Sequence, residues 1–310
     1  MVMLFSGSTL FRALVQEPDG DVARLPLWSR LLIMLSVLVV GGALSGSSYR
    51  LIVRGRRHRS GVIASFGDFP EVRYVLYLRP FGLDPEMALP MPDAPGGLMR
   101  SPFEIPGLTQ EDFLVRQFRA LGRVVAVGQP GERLPLLGAE RGYLPVDNWQ
   151  DTVSEMIQGA HVVMMTAAPG PGTVWEFTEA LRTMAPSRLV LLVYGEPAEY
   201  GAFGEAVAQG YAERSREEGA GVWPRLPELP AFPPPLPRTK GLRWDLRLKG
   251  IISFDEDWNA SFNRFDPIVP RIRLVWTLRR LVRRELQPVL SPLSQLPVIT
   301  AAHPRRRDNA

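Results

Sequence analysis

Five short apolar runs alternate with helical segments along residues 70–254, and this alternation limits the chain to a small set of folds. The runs have the length of strands, and the helical segments repeat apolar residues every three or four positions. Strands that alternate with helices form a parallel sheet with helices packed on both faces. The predicted strands are 72–78, 123–127, 161–166, 188–194 and 250–254.

Helical segments are predicted between these strands, at 111–121, near 153–157, at 173–184 and at 200–217. A parallel sheet of about five strands with helices on both faces fits a flavodoxin-like order. Such sheets bind ligands at the carboxyl ends of their strands. We therefore expect an α/β domain over 70–258 with a ligand site at that edge.

Two proline-rich stretches interrupt the domain, at 85–108 and 223–237. Both contain too much proline for a helix or a central strand, so we expect surface insertions. An alternative for the second stretch is an extended ligand for a partner protein, but a surface linker is favoured.

Residues 31–49 carry no charge, and Arg30 and Arg50 bracket them. About twenty apolar residues span a hydrocarbon core, so this segment predicts one transmembrane helix after an N-terminal segment, 1–30. The residues that follow, 50–69, form a basic linker that contains five arginines, which places the later domain in the cytoplasm. We expect a single-pass protein of the plasma membrane. The alternative is a buried helix of a soluble protein.

A further helix is predicted over 259–289, where apolar residues on one face lie opposite a group of arginines. Such a basic amphipathic helix either covers the sheet or lies on the inner leaflet of the membrane. The remaining residues, 290–310, are predicted to be a disordered tail.

Composition excludes several kinds of site. The chain has no cysteine, so disulfides, thiolate metal sites and cysteine nucleophiles are excluded. Its three histidines are far apart and have no metal-ligand spacing, so no metal is expected. The net charge of +4 comes largely from arginines beside the apolar segment and near the end of the chain. That distribution suits anionic lipid better than a duplex, and no nucleic-acid partner is expected.

The strongest candidate site follows the predicted strand 161–166. The turn Pro169-Gly170-Pro171-Gly172 breaks that strand, and Thr173 is predicted to cap the helix that follows. Glu176 then lies on the first turns of this helix, at the ligand edge of the sheet. Thr-x-x-Glu is also the pattern of a capping box, so a structural role for Glu176 remains an open alternative.

Other candidate ligand residues follow the first two strands. Arg79 is suited to phosphate or carboxylate, with a surface ion pair as the alternative. Asp84 is suited to ribose hydroxyls, with a turn residue as the alternative. After the second strand, Gly128 and Gly131 allow close approach to a phosphate, and Arg141 adds charge.

Two short motifs resemble known families. The layout of Tyr74-Val-Leu-Tyr-Leu-Arg-Pro-Phe-Gly-Leu-Asp84 is similar to the first strand and loop of TIR domains. Gly172-Thr173-x-x-Glu176-x-x-x-Ala180 resembles the glycine-threonine-glutamate segment of nucleoside 2-deoxyribosyltransferases. The spacing of Trp175 and Glu179 also matches the catalytic helix of TIR domains. The chain further resembles bacterial membrane-anchored proteins with the same strand, glycine-proline loop and Trp-Glu helix.

These resemblances imply a domain that binds a nucleotide or nucleoside and cleaves an N-glycosidic bond, with NAD as a candidate substrate and no separate cofactor. They imply that Glu176 or Glu179 acts at the anomeric carbon and that Gly172 and Thr173 form part of the ligand site. Trp175 or Phe81 would contact a base. Two alternatives remain: a non-catalytic ligand sensor that signals by self-association, and a protein-interaction module.

Overall fold

The computed structural model describes residues 26–58, 62–63, 73–89, 109–128, 138–144, 148–219, 223–234, 236, 242–243, 246–269 and 283–298. Residues 26–56 belong to one compact unit, and the other described residues belong to a second. Gly131, most of the predicted segment 1–30, parts of the predicted segments 50–69 and 259–289, and the end of the predicted tail lie outside the described residues.

The first unit contains helix α1, Leu27–His58, which includes the predicted span 31–49. Several of its large apolar side chains are exposed: Trp28, Leu32, Ile33, Leu35, Val37, Val39, Val40, Leu44 and Leu51. By length and apolarity, none of the helices in the described part of the chain qualifies as a membrane span.

The second unit is built on an eight-stranded sheet with the order β1-β4-β3-β2-β5-β6-β8-β9. The strands from β1 to β6 in that order are parallel, and β8 and β9 are antiparallel to their neighbours. A separate ribbon pairs β7 with β10. The strands are β1 Val62–Ile63, β2 Tyr74–Leu78, β3 Arg123–Gly128, β4 Glu140–Tyr143, β5 Val162–Thr166, β6 Leu189–Val193, β7 Leu242–Arg243, β8 Gly250–Phe254, β9 Ala260–Arg264 and β10 Ile268–Val269.

The predicted α/β class is confirmed, and each of the five predicted strands is a strand of a mostly parallel sheet. In chain order those five are β2, β3, β5, β6 and β8, and the sheet arranges them second-first-third-fourth-fifth. The prediction of a fully parallel sheet is wrong for β8, because the connection after β6 returns to the same edge of the sheet. Strand β4 has the polar sequence Glu-Arg-Gly-Tyr, so no apolar run marked it.

Side-chain alternation on the strands divides the core into two layers. On β2, Tyr74, Leu76 and Leu78 face one layer, while Val75 and Tyr77 face the other. Helices α4, α5 and α6 cover the first layer, and α3 and α7 cover the second, so helices lie on both faces as predicted. The helices are α2 Asp84–Met87, α3 Gln110–Phe118, α4 Trp149–Gly159, α5 Pro171–Thr183, α6 Pro197–Glu218 and α7 Gln287–Gln295.

The C-terminal predictions need correction. Within the predicted helix 259–289, residues 260–264 and 268–269 are strands. Asp255 causes the first change, because its carboxylate accepts the backbone N–H groups of Asp257 and Asn259 and closes a hairpin between β8 and β9. The predicted tail 290–310 begins inside α7, which buries Leu290 and Leu293 against the sheet because they share one helical face.

The two proline-rich stretches were expected to be surface insertions without helix or central strand. Pro85 instead lies in the first turn of α2, where a missing N–H group costs little, and residues 90–108 are not described. Residues 223–234, which we name the proline strap, form neither helix nor strand and pack along α6. Tyr211 and Tyr200 donate hydrogen bonds to the carbonyls of Pro224 and Pro230, at 2.6 and 2.8 Å.

Candidate functional site

A cavity of about 380 Å³ opens at the carboxyl ends of β2 and β3, beside the start of α5. Strands β2 and β5 are neighbours in the sheet. From β2 the chain continues to β3 on one side, and from β5 it continues to β6 on the other side, so the strand order reverses beside the cavity. Open α/β sheets bind ligands at this switch point. We name it the Glu176 cavity; its lining includes Tyr77, Leu78, Arg79, Pro80, Phe81, Val127, Gly128, Leu144, Trp149, Val153, Gly172, Thr173 and Glu176.

The turn before α5 forms one wall of the cavity. Gly170 is the N-cap and Pro171 starts the helix, because the ring of proline presets the helical φ and needs no hydrogen-bond acceptor. The predicted cap at Thr173 is therefore wrong, and Thr173 and Glu176 do not form a capping box. Instead the side chain of Thr173 is buried, and Thr173, Gly172 and Glu176 all line the cavity.

Glu176 is the acidic residue of this lining. Within the described residues, no hydrogen bond or ion pair reaches its carboxyl group. Burial beside apolar side chains disfavours the ionised form and raises the pKa of Glu176 to about 8. The raised pKa favours the protonated carboxyl group, which can donate a hydrogen bond as well as accept one.

Two accessible aromatic side chains, Phe81 and Trp149, border the cavity, and the buried Tyr77 also lines it. Phe81 follows β2 and is 39% exposed. Trp149 begins α4 and packs edge-to-face on Trp175, with ring centroids 4.9 Å apart. Trp175 itself faces a separate groove, where the guanidinium of Arg214 lies 5.2 Å from its ring centroid. The aromatic wall is thus formed by Trp149 and Phe81, and the predicted base contact at Trp175 is not placed in the cavity.

Glu179, the second predicted catalytic acid, is not among the cavity residues. It is buried between α4 and α6, where Ser154 donates a hydrogen bond of 2.5 Å and Arg214 one of 2.7 Å. Arg182 forms an ion pair with the same carboxylate. Burial opposes ionisation, but the hydrogen bonds from Arg182, Ser154 and Arg214 outweigh it and hold the pKa of Glu179 below its usual value. Glu179 therefore joins three helices.

Arg79, Asp84 and Arg141, all predicted ligand contacts, are ion-paired in a buried group that we name the charge cluster. Arg79 lies 2.7 Å from Asp84 and 3.3 Å from Glu111. Arg141 lies 3.3 Å from Asp84 and 3.0 Å from Glu111. Two positive and two negative groups balance, and all four side chains are buried. Of the four, Arg79 alone lines the cavity.

Glu111 was missed by sequence reasoning, because an acid in the first turn of an amphipathic helix normally faces solvent. Here it is fully buried, and its carboxylate also accepts the backbone N–H of Ala139 at 3.3 Å. A single sequence carries no signal for this, since its arginine partners come from distant strands. Trp149 was also missed as a site residue, although it starts a helix at the ligand edge.

The three glycines predicted to contact a ligand, Gly128, Gly131 and Gly172, differ in their surroundings. Gly128 ends β3, and a Cβ there would lie 2.6 Å from the ring of Tyr143, so the position requires glycine for packing. Gly172 has open space around its Cα position. Gly131 is outside the described residues.

The site therefore offers one unpaired carboxyl group, two aromatic side chains and mainly apolar walls. No group of three or more acidic or histidine side chains that could hold a metal occurs among the residues the structure describes. This arrangement suits an uncharged ligand with a flat ring and a polar group that meets Glu176.

Comparison with protein-family models, with curated proteins and with solved structures finds no match to this chain. The likeness to TIR domains and nucleoside 2-deoxyribosyltransferases therefore stays a prediction from short motifs. The chemistry of the site has to follow from its own geometry.

Replacing one acid of the charge cluster tests its structural role. We expect Glu111→Gln to lower the free energy of unfolding by about 3–5 kcal/mol, because it leaves two buried arginines with one carboxylate. Urea unfolding followed by circular dichroism measures this change. The exposed Glu205 on α6 provides the control, Glu205→Gln, with an expected change within about 0.5 kcal/mol. A loss of similar size in both variants would contradict the role of the cluster.

The raised pKa of Glu176 predicts a pH dependence of stability. Between its usual value of 4.5 and about 8, the folded state binds a proton that the unfolded state has released. Raising the pH across this window therefore lowers the free energy of unfolding, by at most about 1.4 kcal/mol per pH unit, and the loss levels off above pH 8. Relative to wild type, Glu176→Gln should gain stability progressively from pH 5 to pH 8 in thermal unfolding. If the stability of the wild type and of Glu176→Gln changed with pH in the same way, Glu176 would ionise at its usual pKa, contrary to the prediction.

Proposed function

We propose that the α/β domain binds a nucleoside-type ligand in the Glu176 cavity. The observation that carries this proposal is the unpaired carboxyl group of Glu176, held in an apolar cavity at the switch point of the sheet. Glu176 is half-buried at the cavity wall, and carboxyl groups with a strongly raised pKa are concentrated at functional sites.

The shape and lining of the cavity support a ring-containing ligand. Its volume of about 380 Å³ lies within the range of small-molecule sites. We place the base against Trp149 and Phe81 and the sugar toward Glu176 and the start of α5, all of which line the cavity. Arg79 is already ion-paired with Asp84 and Glu111, so it is not available to bind a phosphate. This favours an uncharged nucleoside as the ligand.

The strand order adds support to the family resemblance. The order second-first-third-fourth-fifth is that of flavodoxin-like sheets, which TIR domains and nucleoside 2-deoxyribosyltransferases share. Both families cleave N-glycosidic bonds, and we extend that chemistry to this chain. Glu176 corresponds to the glutamate of the deoxyribosyltransferase motif.

The proposed reaction is cleavage of the bond between the base and the anomeric carbon. Protonated Glu176 donates its proton to the departing base as the C–N bond breaks, and both bonding electrons leave with the base. The resulting carboxylate stabilises the positive charge on the sugar, which water then captures with loss of a proton. A pKa near 8 suits the first step at neutral pH.

A non-catalytic sensor is the second candidate, and the position of Glu179 favours it. Glycosidases commonly use two carboxyl groups, but Glu179 is committed to Arg182, Arg214 and Ser154. Binding without turnover requires only the cavity and Glu176.

One experiment separates the two candidates. The purified full-length chain is incubated with NAD and a panel of nucleosides, and mass spectrometry follows the release of free base or nicotinamide. Thermal shift on the same samples reports binding. An enzyme releases base, and Glu176→Gln lowers the rate by about a hundredfold or more, while Glu205→Gln has no effect. A sensor shows a thermal shift without product. If no compound gives either product or a thermal shift, the proposal of a nucleoside site is refuted.

We also propose that α1 anchors the protein in a membrane with the α/β domain in the cytoplasm. Its apolar side chains are exposed, and arginines follow the uncharged stretch. A charge placed in that stretch is costly in hydrocarbon, so Val39→Arg should shift the protein from the membrane pellet to the supernatant after carbonate washing. Gly55→Arg, in the basic part of the same helix, is the matched control and should stay in the pellet. Release of the wild-type protein by carbonate would refute the anchor.

A further inference from the structure

A second cavity lies at the other end of the ligand edge of the sheet and is independent of Glu176. It has a volume of about 480 Å³, and the proline strap forms one wall of it. The start of α6, the ends of β8 and β9 and the ribbon β7–β10 form the rest. We name it the strap cleft; its polar lining is Glu196, Arg243, Lys249 and Arg264.

Positive charge exceeds negative charge in this lining, with three cations against one carboxylate. Arg243 has Asp266 at 3.9 Å, and Lys249 has Glu196 at 3.1 Å. Arg264 donates to the neutral carbonyl of Pro234, and no acidic partner reaches it within the described residues. Among the residues that the structure describes, no carboxylate compensates its charge at the cleft wall.

The pair of Lys249 and Glu196 is easily opened. Lys249 is 36% exposed and Glu196 74% exposed, and ion pairs with that much solvent contact contribute little stability. Glu196 also lies at the N-terminus of the 22-residue helix α6, where unpaired backbone N–H groups favour a negative charge. The carboxylate of Glu196 thus occupies the place where a ligand's acidic group would bind.

The rest of the cleft is apolar. Leu246 and Phe265 are buried, and Phe232 of the proline strap also lines the cleft. A purely inorganic anion would leave this surface without a contact. An apolar body attached to an acidic group satisfies both parts of the lining, and the volume suits a small molecule.

We propose that the strap cleft binds a small organic anion, with its acidic group at Arg264 and Lys249 and its apolar body against Phe232, Leu246 and Phe265. Glu196 competes with the ligand for Lys249. The ligand bridges the proline strap and the antiparallel end of the sheet, so binding also holds the strap in place.

The test compares phenylbutyrate with phenylbutanol, which has the same apolar body without the charge. Dissociation constants are measured by ligand-observed NMR on the full-length protein in mild detergent at neutral pH. We expect phenylbutyrate to bind about tenfold more tightly than the alcohol, and the difference to shrink at high salt.

Three variants assign the site. Arg264→Gln and Lys249→Gln should each weaken phenylbutyrate binding about three- to tenfold and leave phenylbutanol unchanged. Lys249→Gln touches no carbonyl of the strap, so its effect does not depend on the fold of the strap. Glu196→Gln should tighten phenylbutyrate binding, because it removes the internal competitor.

Matched controls lie outside the cleft lining: Arg225→Gln on the strap, Glu199→Gln on α6 and Glu176→Gln in the first cavity. All three should bind both probes as the wild type does. Equal affinity for the two probes, or unchanged phenylbutyrate binding in both Arg264→Gln and Lys249→Gln, would overturn the proposal. Loss of binding in Glu176→Gln would move the probe to the Glu176 cavity and overturn it as well.

Discussion

The charge cluster fixes the geometry on which the Glu176 cavity depends. Its four members come from the end of β2, from α2, from α3 and from β4, so the ion pairs join parts of the chain that are distant in sequence. Removing such groups from water costs several kcal/mol per ion, and that cost is offset only when the pairs keep their geometry. The loop from Arg79 to Asp84 is consequently held at both ends, and it carries Phe81 at the cavity wall.

Helix α5 shows how one helix serves both structure and chemistry. Glu176 and Glu179 are three residues apart, a rotation that leaves them about 60° from each other around the axis. That offset places Glu176 in the cavity and Glu179 between α4 and α6, where arginines and Ser154 bind it. The same residue type therefore has a raised pKa at one position and a lowered pKa at the other.

Sequence reasoning predicted the features that depend on local pattern. Apolar runs identified the five strands, and the break at Pro169 to Gly172 located the start of α5 and the ligand edge with Glu176. It did not predict features that depend on distant partners. Arg79 was expected to meet a ligand because it follows the first predicted strand, and Arg141 because it adds charge after the second; nothing in the sequence showed that Glu111 pairs with both. Strand β4 was missed because its residues are polar. The Thr-x-x-Glu pattern predicted a cap that Pro171 displaces by starting the helix earlier.

The antiparallel β8 has a topological consequence. Parallel neighbours must be joined by a crossover of fixed right hand, which constrains the length and path of each connection. The segment between β6 and β8 leaves and re-enters the sheet at the same edge, so that rule does not apply to it. The hand of this connection is therefore set by packing, because Tyr200, Phe203 and Val207 bury α6 in the first core layer.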